Sequence, residues 1–123
     1  MPSLRLAFVF SVIVVVLAPA LAYAAPIPVR AAMHPGFGRV VFDWPGDVDF
    51  TVSGDRHSAV IRFNRPVQAD LTDAVNRLPA YLVAAEVGAD GRSVKFTLNV
   101  PTQVRPVRKG HTVGIDFVER PQD

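Results

Sequence analysis

Seven stretches of this 123-residue chain alternate apolar and polar side chains with a period of two, and turn residues interrupt them every 8 to 12 positions. Successive side chains of an extended backbone point to opposite faces, so each stretch has one apolar face that a second layer must cover. From Arg39 to Trp44, Val40, Phe42 and Trp44 alternate with Arg39, Val41 and Asp43 ahead of Pro45-Gly46. Phe50 to Ser53 and Ser58 to Phe63 flank Gly54-Asp55-Arg56-His57, which predicts a hairpin. Tyr81 to Val87 and Ser93 to Leu98 flank Gly88-Ala89-Asp90-Gly91 and predict another, with Tyr81, Val83, Ala85 and Val87 sharing one face. Val104 to Arg108 and Thr112 to Val118 flank Lys109-Gly110-His111. Pro106 has no N–H for a central ladder, which places its stretch at a sheet edge.

One stretch breaks the pattern. Leu71, Ala74, Val75 and Leu78 fall at helical spacing between Asp70, a candidate cap, and Pro79. About two turns of helix cannot stand alone and must lie against a sheet. Seven short strands and one short helix predict an all-β fold with minor α content, a small antiparallel β-sandwich or a partly open barrel. The expected inward set is Val40, Phe42, Trp44, Val52, Ile61, Phe63, Leu78, Tyr81, Val83, Val94, Phe96, Leu98, Val113, Ile115 and Phe117. That is one core for one domain, expected over residues 34–121.

The preceding segment has another character. Met1 to Arg5 carries one positive charge, Leu6 to Leu17 is apolar apart from Ser11, and Pro19 precedes Ala20-Leu21-Ala22-Tyr23-Ala24. This three-part order predicts a secretory signal peptide over residues 1–24, cleaved after Ala24 or Ala22 and leaving no membrane span. The alternative is a retained anchor helix from Leu6 to about Ala25, near the roughly 20 residues a bilayer needs. Residues 25–33, with Pro26 and Pro28, are expected to be an extended tether. The expected location is periplasmic or secreted.

Composition narrows the function. Lys and Arg number 13 against 11 Asp and Glu, too even a balance to imply a nucleic-acid partner. The chain has no Cys, which excludes disulfides, thiol catalysis, thiolate metal sites and a lipid-modified cysteine. His34, His57 and His111 show no ligand spacing and imply no metal. Ser53 and Ser58 near Asp55 and His57 lack the elbow of a hydrolase nucleophile. Asp43, Asp47 and Asp49 lack the further ligands of a calcium loop, and Asp43 has Arg39 or Arg62 as a cross-strand partner. Trp44 takes the inward phase of its strand, so it is assigned to the core. The expectation is therefore a protein with no catalytic residues and no cofactor. The remaining feature is basic: Arg105, Arg108 and Lys109 on the expected edge strand, with Arg92 and Lys95 on another hairpin. Edge charges guard against edge-to-edge pairing. They also form a candidate binding surface for an anionic or extended partner.

Phe37-Gly38-Arg39-Val40-Val41-Phe42-Asp43-Trp44, Val60-Ile61-Arg62-Phe63, Val87-Gly88-Ala89-Asp90-Gly91-Arg92-Ser93-Val94 and Val113-Gly114-Ile115-Asp116-Phe117 occur in an order with a familiar counterpart. From about His34 to Pro121 the chain resembles the AMIN and AMIN-like domains of bacterial envelope proteins, above all the version at the N-terminus of secreted alphaproteobacterial tetratricopeptide-repeat proteins. The resemblance implies two packed sheets and a non-catalytic role in binding or localisation within the cell envelope, with association to peptidoglycan. The partner it implies is an envelope polymer or an envelope protein. It departs from those longer proteins after Pro121, where no helical repeats follow. An interaction module of an envelope assembly and a truncated remnant of a repeat protein are the alternatives.

Overall fold

The computed structural model describes residues 25–120, so the expected signal peptide lies outside the described residues. Eight strands and one helix follow in order: β1 Val29–His34, β2 Phe37–Asp43, β3 Phe50–Gly54, β4 Ser58–Phe63, α1 Thr72–Arg77, β5 Leu82–Val87, β6 Ser93–Leu98, β7 Thr102–Lys109 and β8 Thr112–Glu119. They form two four-stranded sheets, sheet A in the order β1-β2-β8-β7 and sheet B in the order β3-β4-β6-β5. Every pairing is antiparallel, and the three expected hairpins are present. No helix among the described residues is long and apolar enough to cross a membrane.

Period-two patterning explains the core. Val40, Phe42, Val113, Ile115 and Phe117 face inward from sheet A, and Ala59, Ile61, Phe63, Val94, Phe96 and Leu98 from sheet B, all buried in one cluster. Aromatic rings lock the layers together: Phe42 meets Phe63 at 5.3 Å and Phe96 meets Phe117 at 5.2 Å, both edge to face. Such pairs contribute about 0.5–1.5 kcal/mol beyond the area they bury. Trp44 is buried against Phe63 at 4.7 Å, as its phase predicts, and its indole Nε1–H has no hydrogen-bond partner among the described residues.

Four expectations need correction. The stretch read as a tether supplies the eighth strand: Val29–His34 pairs along its length with β2, and Ile27 is buried, its N–H donating to the Gln68 carbonyl. Two prolines do not prevent this, because Pro26 and Pro28 precede β1 rather than interrupt it. Val83 is 58 % exposed, not inward. The β5–β6 register shifts between Leu82 and Ala84, and the extra residue turns Leu82 inward and Val83 out. Val52 is only half-buried, since β3 is an edge strand. Asp70 does not cap α1, because Leu71 holds the N-cap position and Asp70 Oδ1 accepts the Thr72 N–H at 3.0 Å instead. Leu71, Ala74 and Leu78 bury the expected face of α1, which packs beside the edges of β1 and β5 and closes one side of the sandwich.

Candidate functional site

Alternation along β7 separates the three basic candidates. Arg105 lies opposite Asp116 and Lys109 opposite Thr112, which places both on the outer face of sheet A. Arg108 lies opposite the buried Val113 and points to the other side. There its guanidinium donates to the Val48 carbonyl at 2.6 Å and sits 5.0 Å above the Phe50 ring. Arg108 therefore straps β7 to the start of β3 and is not part of an outward basic triplet. The pattern Arg-x-x-Arg-Lys conceals this split, because a strand sends odd and even positions to opposite faces.

Pro106 marks β7 as a guarded edge. The Arg120 N–H donates to the Pro101 carbonyl, so the hydrogen-bonded pairs of this ladder fall at odd positions of β7. Pro106 takes an even position opposite Ile115, and its nitrogen points away from β8. The proline thus removes a donor from the free edge and leaves the β7–β8 ladder intact, the arrangement that discourages an added strand.

The outer face of sheet A carries an ordered set of charges. Arg39 on β2 grips Asp116 on β8 through Nε at 2.6 Å and a terminal nitrogen at 2.9 Å. Arg30 on β1 grips Asp43 on β2 at 2.8 and 3.0 Å, and the Thr112 hydroxyl donates to the same carboxylate at 3.2 Å. Hydrogen bonding from Arg30 holds the Asp43 carboxyl below the usual carboxylate range, against the opposing effect of partial burial. The guanidinium of Arg30, not Arg39 or Arg62, is thus the partner of Asp43. Arg105 and Lys109 have no carboxylate partner among the described residues, although Arg105 faces Asp116 directly. Asp116 already gives both oxygens to Arg39, so Arg105 turns to the Gln103 side chain at 3.3 Å. A groove of about 670 Å³ crosses this face past Arg30, Arg39, Val41, Val107, Lys109 and Gly114.

The other candidates are structural turns. Asp55 Oδ1 accepts the His57 N–H at 2.7 Å, the Ser58 N–H at 2.9 Å and the Ser58 hydroxyl at 3.3 Å. These residues form a turn that opens β4, with the Ser58 hydroxyl committed to a carboxylate and not to an imidazole. The same device recurs before β6, where Asp90 Oδ1 accepts the Arg92 N–H, the Ser93 N–H and the Ser93 hydroxyl. Backbone donors lower both carboxyl pKa values. The shared spacing, Asp55-x-x-Ser58 and Asp90-x-x-Ser93, is the sequence signal for this turn. Asp47 takes His111 Nδ1 at 3.2 Å, the Asp49 N–H donates to Asn64 Oδ1, and His34 stacks on Phe37 at 4.8 Å. The histidines and aspartates thus serve separate local roles. Among the described residues no three His, Asp or Glu side chains converge as metal ligands. No protein-family model matches the chain, and no curated protein matches it.

Proposed function

We propose that this chain is an exported, non-catalytic module that binds or localises within the cell envelope, in the manner of an AMIN-like domain, with peptidoglycan as its polymer. The observation that carries this reading is the pair Arg105 and Lys109, exposed on one side of an edge strand and lacking a carboxylate partner among the described residues. The N-terminal sequence, with its apolar run and Ala22-x-Ala24, supports export to the periplasm or beyond. Exposed charge contacts contribute about 0.2–1 kcal/mol each, so two of them give weak binding. Screening over about 8–10 Å makes that binding salt-sensitive.

Sedimentation of the purified protein with insoluble cell-wall sacculi at two salt concentrations tests the reading. Wild type should sediment at low salt and be released at high salt, and an Arg105→Ala/Lys109→Ala variant should stay in solution. Wild type that stays in solution at low salt removes peptidoglycan as the partner.

A further inference from the structure

The outer faces of the two sheets are built differently. On sheet B, Thr51, Ser53, Ser58, Arg62, Glu86, Lys95 and Thr97 point outward, and the apolar members of the face are Val60 and, on the edge strand β5, Val83 and Ala84. On sheet A an uncharged row, Val41, Gly114 and Val107, runs across three adjacent strands in register. Gly114 is the informative member. Glycine in a central strand weakens it, and one use that offsets the cost is close approach by another backbone or a bound molecule. The backbone of Gly114 is not left-handed, and an added Cβ would meet nothing nearer than Val107 at 3.7 Å. Contacts within the chain therefore do not require glycine there. Gly114 is buried at the bottom of the groove, between the side chains of Arg39 and Val107. Around that floor lie five cations, Arg30, Arg39, Arg77, Arg105 and Lys109, against three carboxylates, Asp43, Asp73 and Asp116, and each carboxylate is already bonded to an arginine. The groove therefore keeps an excess of positive charge.

We propose that the groove over Gly114 docks an extended peptide bearing carboxylate side chains, with its backbone against the Val41–Gly114–Val107 floor and its carboxylates on Lys109 and Arg105. This rests on the envelope-binding reading and narrows it to the peptide part of the wall polymer.

The probe is a fluorescein-labelled octapeptide of alternating alanine and glutamate, with an alanine–glutamine octapeptide as its neutral counterpart, in low-salt fluorescence anisotropy with the protein recovered from the exporting cell. Wild type should bind the acidic peptide and discriminate against the neutral one. Gly114→Val raises the floor while keeping every charged residue, its added Cβ in ordinary contact with Val107 at 3.7 Å and Arg39 Cδ at 3.9 Å, and Val107→Gln changes a partly exposed floor position where misfolding is not expected. Each should weaken binding about fivefold or more, the equivalent of one lost contact of about 1 kcal/mol, with thermal melts confirming the fold. Equal affinity for the neutral peptide, or unchanged affinity in both folded variants, overturns the proposal. Sacculi that retain both floor variants but lose Arg105→Ala/Lys109→Ala also overturn it, while leaving the envelope-binding reading in place. Acidic-peptide binding that is sensitive to Gly114→Val, without sedimentation on sacculi, upholds the groove and removes peptidoglycan.

Discussion

Arg39 and Asp116 face each other across the centre of sheet A, joined by two hydrogen bonds of 2.6 and 2.9 Å in a partly buried setting. This bidentate pair uses both carboxylate oxygens and so decides that Arg105, the other cross-strand neighbour of Asp116, stays unpaired. Arg39→Ala and Asp116→Ala should each destabilise by about 1 kcal/mol, at the upper end for surface pairs because the geometry is bidentate. The Arg30–Asp43 pair, whose arginine side chain is 67 % exposed, should couple more weakly. Double-mutant cycles in urea measure both couplings, and an equal or reversed order would contradict the ranking.

Replacing Phe42, Phe96 or Phe117 by Ala should destabilise by about 3–5 kcal/mol, since each ring is fully buried. His34, His57 and His111 are exposed, and their Ala variants should fall within about 0.5 kcal/mol of wild type. Denaturant melts that rank any histidine with the phenylalanines would show a missed structural role.

The β5 bulge makes a pair of opposite predictions for adjacent residues. Leu82→Ala should cost about 2–5 kcal/mol as a core truncation, whereas Val83→Thr on the exposed side should change stability by less than about 0.5 kcal/mol. The reverse order in urea unfolding would mean an unbroken alternation through β5.

Pro106→Val restores a donor on the free edge of β7 and leaves the β7–β8 ladder untouched. The variant should self-associate as its concentration rises, because an unguarded edge is a template for another strand. Sedimentation velocity that shows the variant no more associated than wild type would exclude Pro106 as the guard.

Acid should destabilise the fold through the turns. Asp55 and Asp90 have lowered pKa values owing to backbone donors, and Asp43 owing chiefly to Arg30. A carboxyl whose folded pKa lies below its unfolded value of about 3.9 stabilises the fold above that pH, and the contribution disappears as pH falls through the folded value. Urea midpoints should therefore be flat from about pH 7 to 5 with respect to these groups and decline below about pH 4. An Asp55→Asn/Asp90→Asn variant should show a shallower decline, and an unaltered slope would assign the acid response elsewhere.

Period two combined with turn residues states locally which face of each stretch is buried, so the all-β class, three hairpins and most of the core are legible along the chain. Val40, Phe42, Ile61, Phe96 and Phe117 are legible in this way, as are the edge position of Pro106 and the core position of Trp44. Features that depend on a partner distant in the chain emerge only from the packed sheets. Val29–His34 has a weak pattern of its own and becomes a strand because β2 offers it an edge. Val83 turns outward because an extra residue opposite Leu98 reverses the phase of β5, and alternation carries no record of an insertion. Arg105, Arg108 and Lys109 read as one cluster along the chain. Side-chain alternation divides them, Val48 and Phe50 claim Arg108, and the grip of Arg39 on Asp116 leaves Arg105 exposed beside a groove whose floor is a glycine. Which charges remain free is a property of pairings across 60 to 77 residues of sequence, and those pairings exist only once the sheets have formed.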